Sequence, residues 1–166
     1  MQVSVFGFNW VEVCKRPNAE TIVDEMILSD DVDLYATYLP DDMWLNDSAS
    51  LHFSIVEVLS SLSVASISQP PKGLDAVKDL LVCGDSAIDE LGLSPLTDNC
   101  YFMSLSPESV TAFHKRMEQI DIPRIASICA SVNHELPDDI AEWINQWKNA
   151  IDFVHKNGLG LIAHCG

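Results

Sequence analysis

The chain has 166 residues, 48% of them hydrophobic, and sets 25 acids against 9 bases for a formal charge of −16. That length suits one domain with a core burying about 70% of the unfolded surface, and no apolar run approaches the ~20 residues of a membrane span. Nucleic acid and anionic membranes both attract basic surfaces, so the balance argues against either as a direct partner and favours a cationic one.

In chain order, "MQVSVFGFNW" lacks the basic n-region and small-residue cleavage site of a signal peptide. Positions 2–8 alternate loosely and are rich in Val and Phe, which predicts a first strand. Asn18 offers an N-cap to a short helix with Ile22, Val23, Met26 and Ile27 on its apolar side. The stretch Ser29 to Asp47 holds six aspartates, two tyrosines, a tryptophan and no base, and reads as one or two helical turns broken at Pro40. Leu51, Ile55, Val58, Leu59 and Leu62 then recur at helical spacing. Gln69-Pro70-Pro71 breaks the chain and is the best candidate for a linker.

A helix from about Leu74 to Val82 follows, then a turn at Gly84 and a strand in "NCYFMSL". Ser106 is placed to cap the next helix, with Pro107 at the first helical position and Val110, Phe113, Met117 and Ile120 as its buried stripe. A short helix is expected over Arg124 to Ser131, and a long one from Pro137 with Ile140, Trp143, Ile144, Trp147, Ile151 and Val154 as its stripe. Asp138, Asp139 and Glu142 sit near that helix's positive end, and Gly158 suits the left-handed residue that stops it. "LGLIAHC" closes the chain as a strand. Few strands among many helices, without βαβ repetition, predict an α+β fold. The expectation is one compact domain over 1–166, a few-stranded, mainly antiparallel sheet packed with several helices.

Five cysteines (Cys14, Cys83, Cys100, Cys129 and Cys165) are odd in number and form no C-x-x-C pair. Free thiols in a reducing, cytoplasmic compartment are expected from that pattern.

Several pieces, taken in order, resemble the YfbM-like family of bacterial proteins, a domain of unknown function. They are Trp44 with "LHF" at Leu51 to Phe53, the turn in "VKDLLVCGDSAIDELG", "LSPESV" at Leu105 to Val110, and the final "NGLGLIAHCG". The acidic stretch before Leu51 and the segment Ser63 to Pro71 depart from that pattern. The resemblance implies a compact α+β domain in a bacterial cytoplasm and brings no catalytic residues with it. Some small families of this type look like immunity proteins encoded beside toxins.

The sharpest enzymatic pattern is Gly84-Asp85-Ser86 after an apolar run, with Asp152 and His155 in the D-x-x-H spacing of GDSL-type serine hydrolases. A serine hydroxyl needs such a base to become nucleophilic. Against it, the serine lies mid-chain, no Gly and Asn blocks offer an oxyanion hole, and Asp152 and His155 belong to a helix with a Trp-rich stripe. His134-Glu135 lacks the second histidine of H-E-x-x-H, and His52, His114 and His155 read as boundary histidines beside apolar positions. No glycine-rich phosphate cradle exists, so no cofactor and no metal is expected.

The acidic stretch carries the strongest binding signal. Asp30, Asp31, Asp33, Asp41 and Asp42 flank Tyr35, Tyr38 and Trp44, and Lys and Arg are absent from Pro17 through Pro71. Dense like charge does nothing for folding directly, but it recruits a basic partner, and aromatics anchor it once docked. These eight residues are the expected partner-binding set. The function expected is that of a cytoplasmic immunity protein occluding a basic toxin domain, such as a nuclease. The alternatives are a small serine hydrolase and a non-enzymatic domain of other role.

Overall fold

A computed structural model describes residues 3–15, 36–38, 69–80, 88–91, 101–133 and 137–165. Strand β1 (Val3–Phe8) lies inside a four-stranded sheet, between β2 (Ala36–Tyr38) and β4 (Gly160–Cys165), and β3 (Tyr101–Leu105) pairs with the far side of β4. All three ladders are antiparallel. The β1–β4 ladder runs the full length of both strands, from Val3 opposite Cys165 to Phe8 opposite Gly160. The predicted first and closing strands are therefore neighbours, although they lie at opposite ends of the sequence.

The period of two sorts these strands into two apolar faces. Val5, Met103, Leu105, Leu161 and Ala163 share one face and join the main core with the helices. Phe6, Phe8, Ile162 and Ser104 share the other, and they too are buried. Trp10 covers part of this second face, its ring centroid 5.5 Å from that of Phe8. Gly160 lies under the same ring: a Cβ there would sit 2.7 Å from the Trp10 side chain, so the close approach requires glycine. Two covered faces explain why the strand alternates only loosely between apolar and polar residues.

Among the described residues the helices are α1 (Trp10–Cys14), α2 (Leu74–Asp79), α3 (Pro107–Met117), α4 (Ile122–Asn133) and α5 (Pro137–Lys156). Every residue of the predicted α5 stripe, from Ile140 to Val154, is at most 1% exposed. The Trp143 and Trp147 rings meet edge to face at 6.3 Å, the spacing expected of i, i+4 aromatics in a core. Gly158 ends α5 with φ of 64°, a left-handed conformation that costs glycine little. Ser106 caps α3 through its hydroxyl, which accepts from the Ser109 N–H at 3.3 Å.

Four expectations need correction. Ala36–Tyr38, inside the stretch read as helical turns, is a strand: Phe6, Gly7 and Phe8 pair with Tyr38, Thr37 and Ala36. A β1 edge with backbone groups to satisfy outweighs weak local preference, and Thr and Tyr suit a strand. α4 begins at Ile122 rather than Arg124, because the Asp121 carboxylate accepts from the Arg124 N–H at 3.4 Å and Pro123 fits in a first turn. α2 stops at Asp79, where Leu80 N–H turns to the Val77 carbonyl in a tighter i−3 bond. Ile120 lies beyond the end of α3 and packs under Gly73 instead of extending the helical stripe.

The Gln69–Pro71 segment does not hang free as a linker would. Arg124 donates to the Gln69 carbonyl at 2.7 Å, Asp121 N–H donates to the Lys72 carbonyl at 3.0 Å, and Pro71 is buried. The expected helices after Asn18 and Leu51 and the Gly84 turn lie outside the described residues. The result is an α+β architecture, a small antiparallel sheet packed against several helices.

Candidate functional site

Polar side chains converge where α3 and α5 pack. On α3, Thr111 and His114 are three residues apart, and on α5 Asp152, His155 and Lys156 follow at i, i+3 and i+4, so each set flanks its helix's buried stripe. The helices run antiparallel, which brings Thr111 to His155 and His114 to Asp152.

The hydrogen-bond roles can be assigned from chemistry. A carboxylate only accepts, so His114 donates through Nε2 to Asp152 Oδ1 at 3.1 Å. The Thr111 hydroxyl donates to the Pro107 carbonyl of its own helix at 2.9 Å. It therefore accepts from His155 Nδ1 at 3.2 Å, which places a proton on that nitrogen. Lys156 Nζ donates to Asp152 Oδ2 at 2.5 Å. The Lys156 bond holds the Asp152 carboxyl below the ordinary aspartate value; burial opposes it, and the His114 bond adds a smaller lowering effect.

The rings of His114 and His155 stack, with centroids 4.3 Å apart and planes inclined at 23°. Beside them His114, Met117, Glu118, Lys148, Asn149 and Asp152 line a shallow cavity of about 210 Å³. This is a partly exposed polar seam in which each ring makes one hydrogen bond to the facing helix, as expected for boundary histidines at positions 114 and 155.

Asp152 and His155 share a helix but do not pair. Asp152 serves His114 and Lys156, while His155 serves Thr111. Thr111 is no activated nucleophile either, since its proton is given to a backbone carbonyl and the neighbouring imidazole nitrogen donates to it. Ser86, His52, His134 and Glu135 lie outside the described residues. Among the described residues no group of three His, Cys, Asp or Glu side chains is placed to hold a metal ion.

Of the expected partner-binding set, Tyr38 is the last residue of β2, opposite Phe6. Asp30, Asp31, Asp33, Tyr35, Asp41, Asp42 and Trp44 lie outside the described residues.

A second polar cluster, not anticipated from the sequence, ties residues 88–91 to β3 and α3. Asp89 forms an isolated parallel bridge with Ser104. The fully buried Ser104 hydroxyl donates to Asp89 Oδ1 at 2.6 Å and accepts from the Leu91 N–H at 3.0 Å. Glu90 accepts from the Ser106 N–H at 2.7 Å and from the Ser109 hydroxyl, supplying a carboxylate to the start of α3. Burial alone would raise the Glu90 carboxyl, but these bonds outweigh it and hold the group low. Arg116 does similar work elsewhere, reaching Asp75 at 2.9 Å and Asp79 at 2.7 Å to fasten α2 to α3.

No family model matches the chain, and no curated protein or solved structure matches it either. Among the described residues no helix is long and apolar enough to cross a membrane.

Proposed function

We propose that this protein is a binding protein of the immunity type, which holds a basic toxin domain inactive by covering its substrate groove. The supporting observation is the charge pattern: ten acids and no Lys or Arg between Pro17 and Pro71, within a chain of net charge −16. A toxin that cleaves nucleic acid has a basic groove, and carboxylates can occupy positions where phosphates would sit. The pairing of Ala36–Tyr38 with β1 ties the middle of the acidic stretch to the sheet. Such anchoring lowers the ordering cost of an interface built there. A serine hydrolase has less in its favour, because the Asp152 carboxylate expected to orient His155 is engaged by His114 and Lys156.

The test is affinity for the partner that a tagged copy captures. Tightness should fall steeply between about 0.05 and 0.3 M salt. The double substitution Asp41→Asn/Asp42→Asn should weaken binding about tenfold or more and flatten that salt dependence. Salt-independent binding, or ester hydrolysis abolished by Ser86→Ala, would overturn the reading.

A further inference from the structure

The shallow cavity between α3 and α5 is lined by two opposite charges that do not pair. Lys148 lies on its α5 side and is partly buried, and Glu118, the C-cap residue of α3, lies on the other. Among the described residues neither makes an ion pair, with the other or with any third group, although the chain has 25 acids for its 9 bases. Asp152 differs. His114 and Lys156 already engage its two oxygens, so it adds little net charge to the cavity. Met117, which is buried, and the His114 ring give the same space an apolar side.

An ammonium and a carboxylate across one cavity, out of contact with each other, match a ligand that brings the two opposite charges itself. A lone anion would satisfy Lys148 and leave Glu118 facing it, and a lone cation would do the reverse. We propose that this cavity binds a free α-amino acid, its carboxylate received by Lys148 and the Asn149 amide, its ammonium by Glu118. The C-terminal end of α3, negative through the alignment of its peptide dipoles, adds to the pull on that ammonium. The ligand's side chain lies toward Met117 and His114, which suits an apolar one. At about 210 Å³ the cavity has the volume of about seven liquid waters, room for about ten non-hydrogen atoms and too little for a nucleotide or a peptide. The site uses none of the acidic stretch and does not rest on the immunity reading.

Amide NMR spectra of the isotope-labelled full chain, titrated with L-leucine at neutral pH, read the site directly. Shifts should saturate at His114 to Glu118 and Lys148 to Asp152, with a dissociation constant of about 1 mM or tighter. L-leucine methyl ester keeps the ammonium alone and N-acetyl-L-leucine the carboxylate alone, so each should bind about tenfold more weakly or worse. Lys148→Gln and Glu118→Gln lie at exposed or partly exposed positions and should each weaken L-leucine by a similar factor. Lys148→Gln should leave the methyl ester unaffected, because that ligand has no carboxylate for Lys148 to receive. The proposal is wrong if no saturation is reached by about 20 mM, if either blocked form binds as well as L-leucine, or if both variants bind it unchanged.

Discussion

Ser104 is polar, fully buried and flanked in β3 by the core residues Met103 and Leu105. Its hydroxyl is tolerated because both its roles are filled, donating to Asp89 and accepting from the Leu91 N–H. Ser104→Ala removes both bonds from a buried position and should cost about 1–3 kcal/mol, read as a lower urea midpoint with an unchanged m-value. Thiols separate by the same reasoning. Burial pushes the Cys129 thiol up to about 11, so almost none is thiolate at neutral pH. Cys14 is exposed at the end of α1. Alkylation of the native protein, mapped by mass spectrometry, should label Cys14 and spare Cys129 until the chain is unfolded.

The elements packed around α3 respond to acid through their carboxylates. Asp152 is held low by Lys156 and then His114, Asp75 mainly by Arg116, and Glu90 by Ser106 and Ser109 despite burial. A carboxyl with a depressed native value stabilises the fold above its unfolded value of about 4, and that contribution disappears as pH falls through the native value. Stability should therefore decline below about pH 4, and Asp152→Asn should decline less steeply there. Urea midpoints of the two chains at matched pH check this. Because Asp75 is 77% exposed, its share is small.

Across the whole molecule, 25 acids face 9 bases, so at least sixteen acids have no basic side chain to pair with one-to-one. Self-repulsion of that size opposes compaction, and added salt screens it. Raising salt from about 0.01 to 0.15 M should raise Tm by a few degrees, since about 1 kcal/mol corresponds to 2–4 °C for a chain of this size. A flat or falling Tm would mean that ion pairs such as those of Arg116 outweigh the repulsion.

What the sequence by itself determined is local: the α3 cap at Ser106 and Pro107, the α5 stripe, its stop at Gly158, and the terminal strands. Each depends on residues within a few positions of one another, where spacing and capping chemistry are sufficient. Pairings across long separations could be decided only in three dimensions. β1 reaches β4 from the other end of the chain, and Ala36–Tyr38 becomes a strand because β1 offers it an edge. Asp152 serves a histidine 38 positions away rather than the one three residues on. On α5 the Asp152/His155 pair was visible as a candidate and His114 on α3 as a boundary histidine, whereas nothing in the sequence marked Thr111. Their union needed the antiparallel packing of the helices, which buries shared apolar area and brings both edges together.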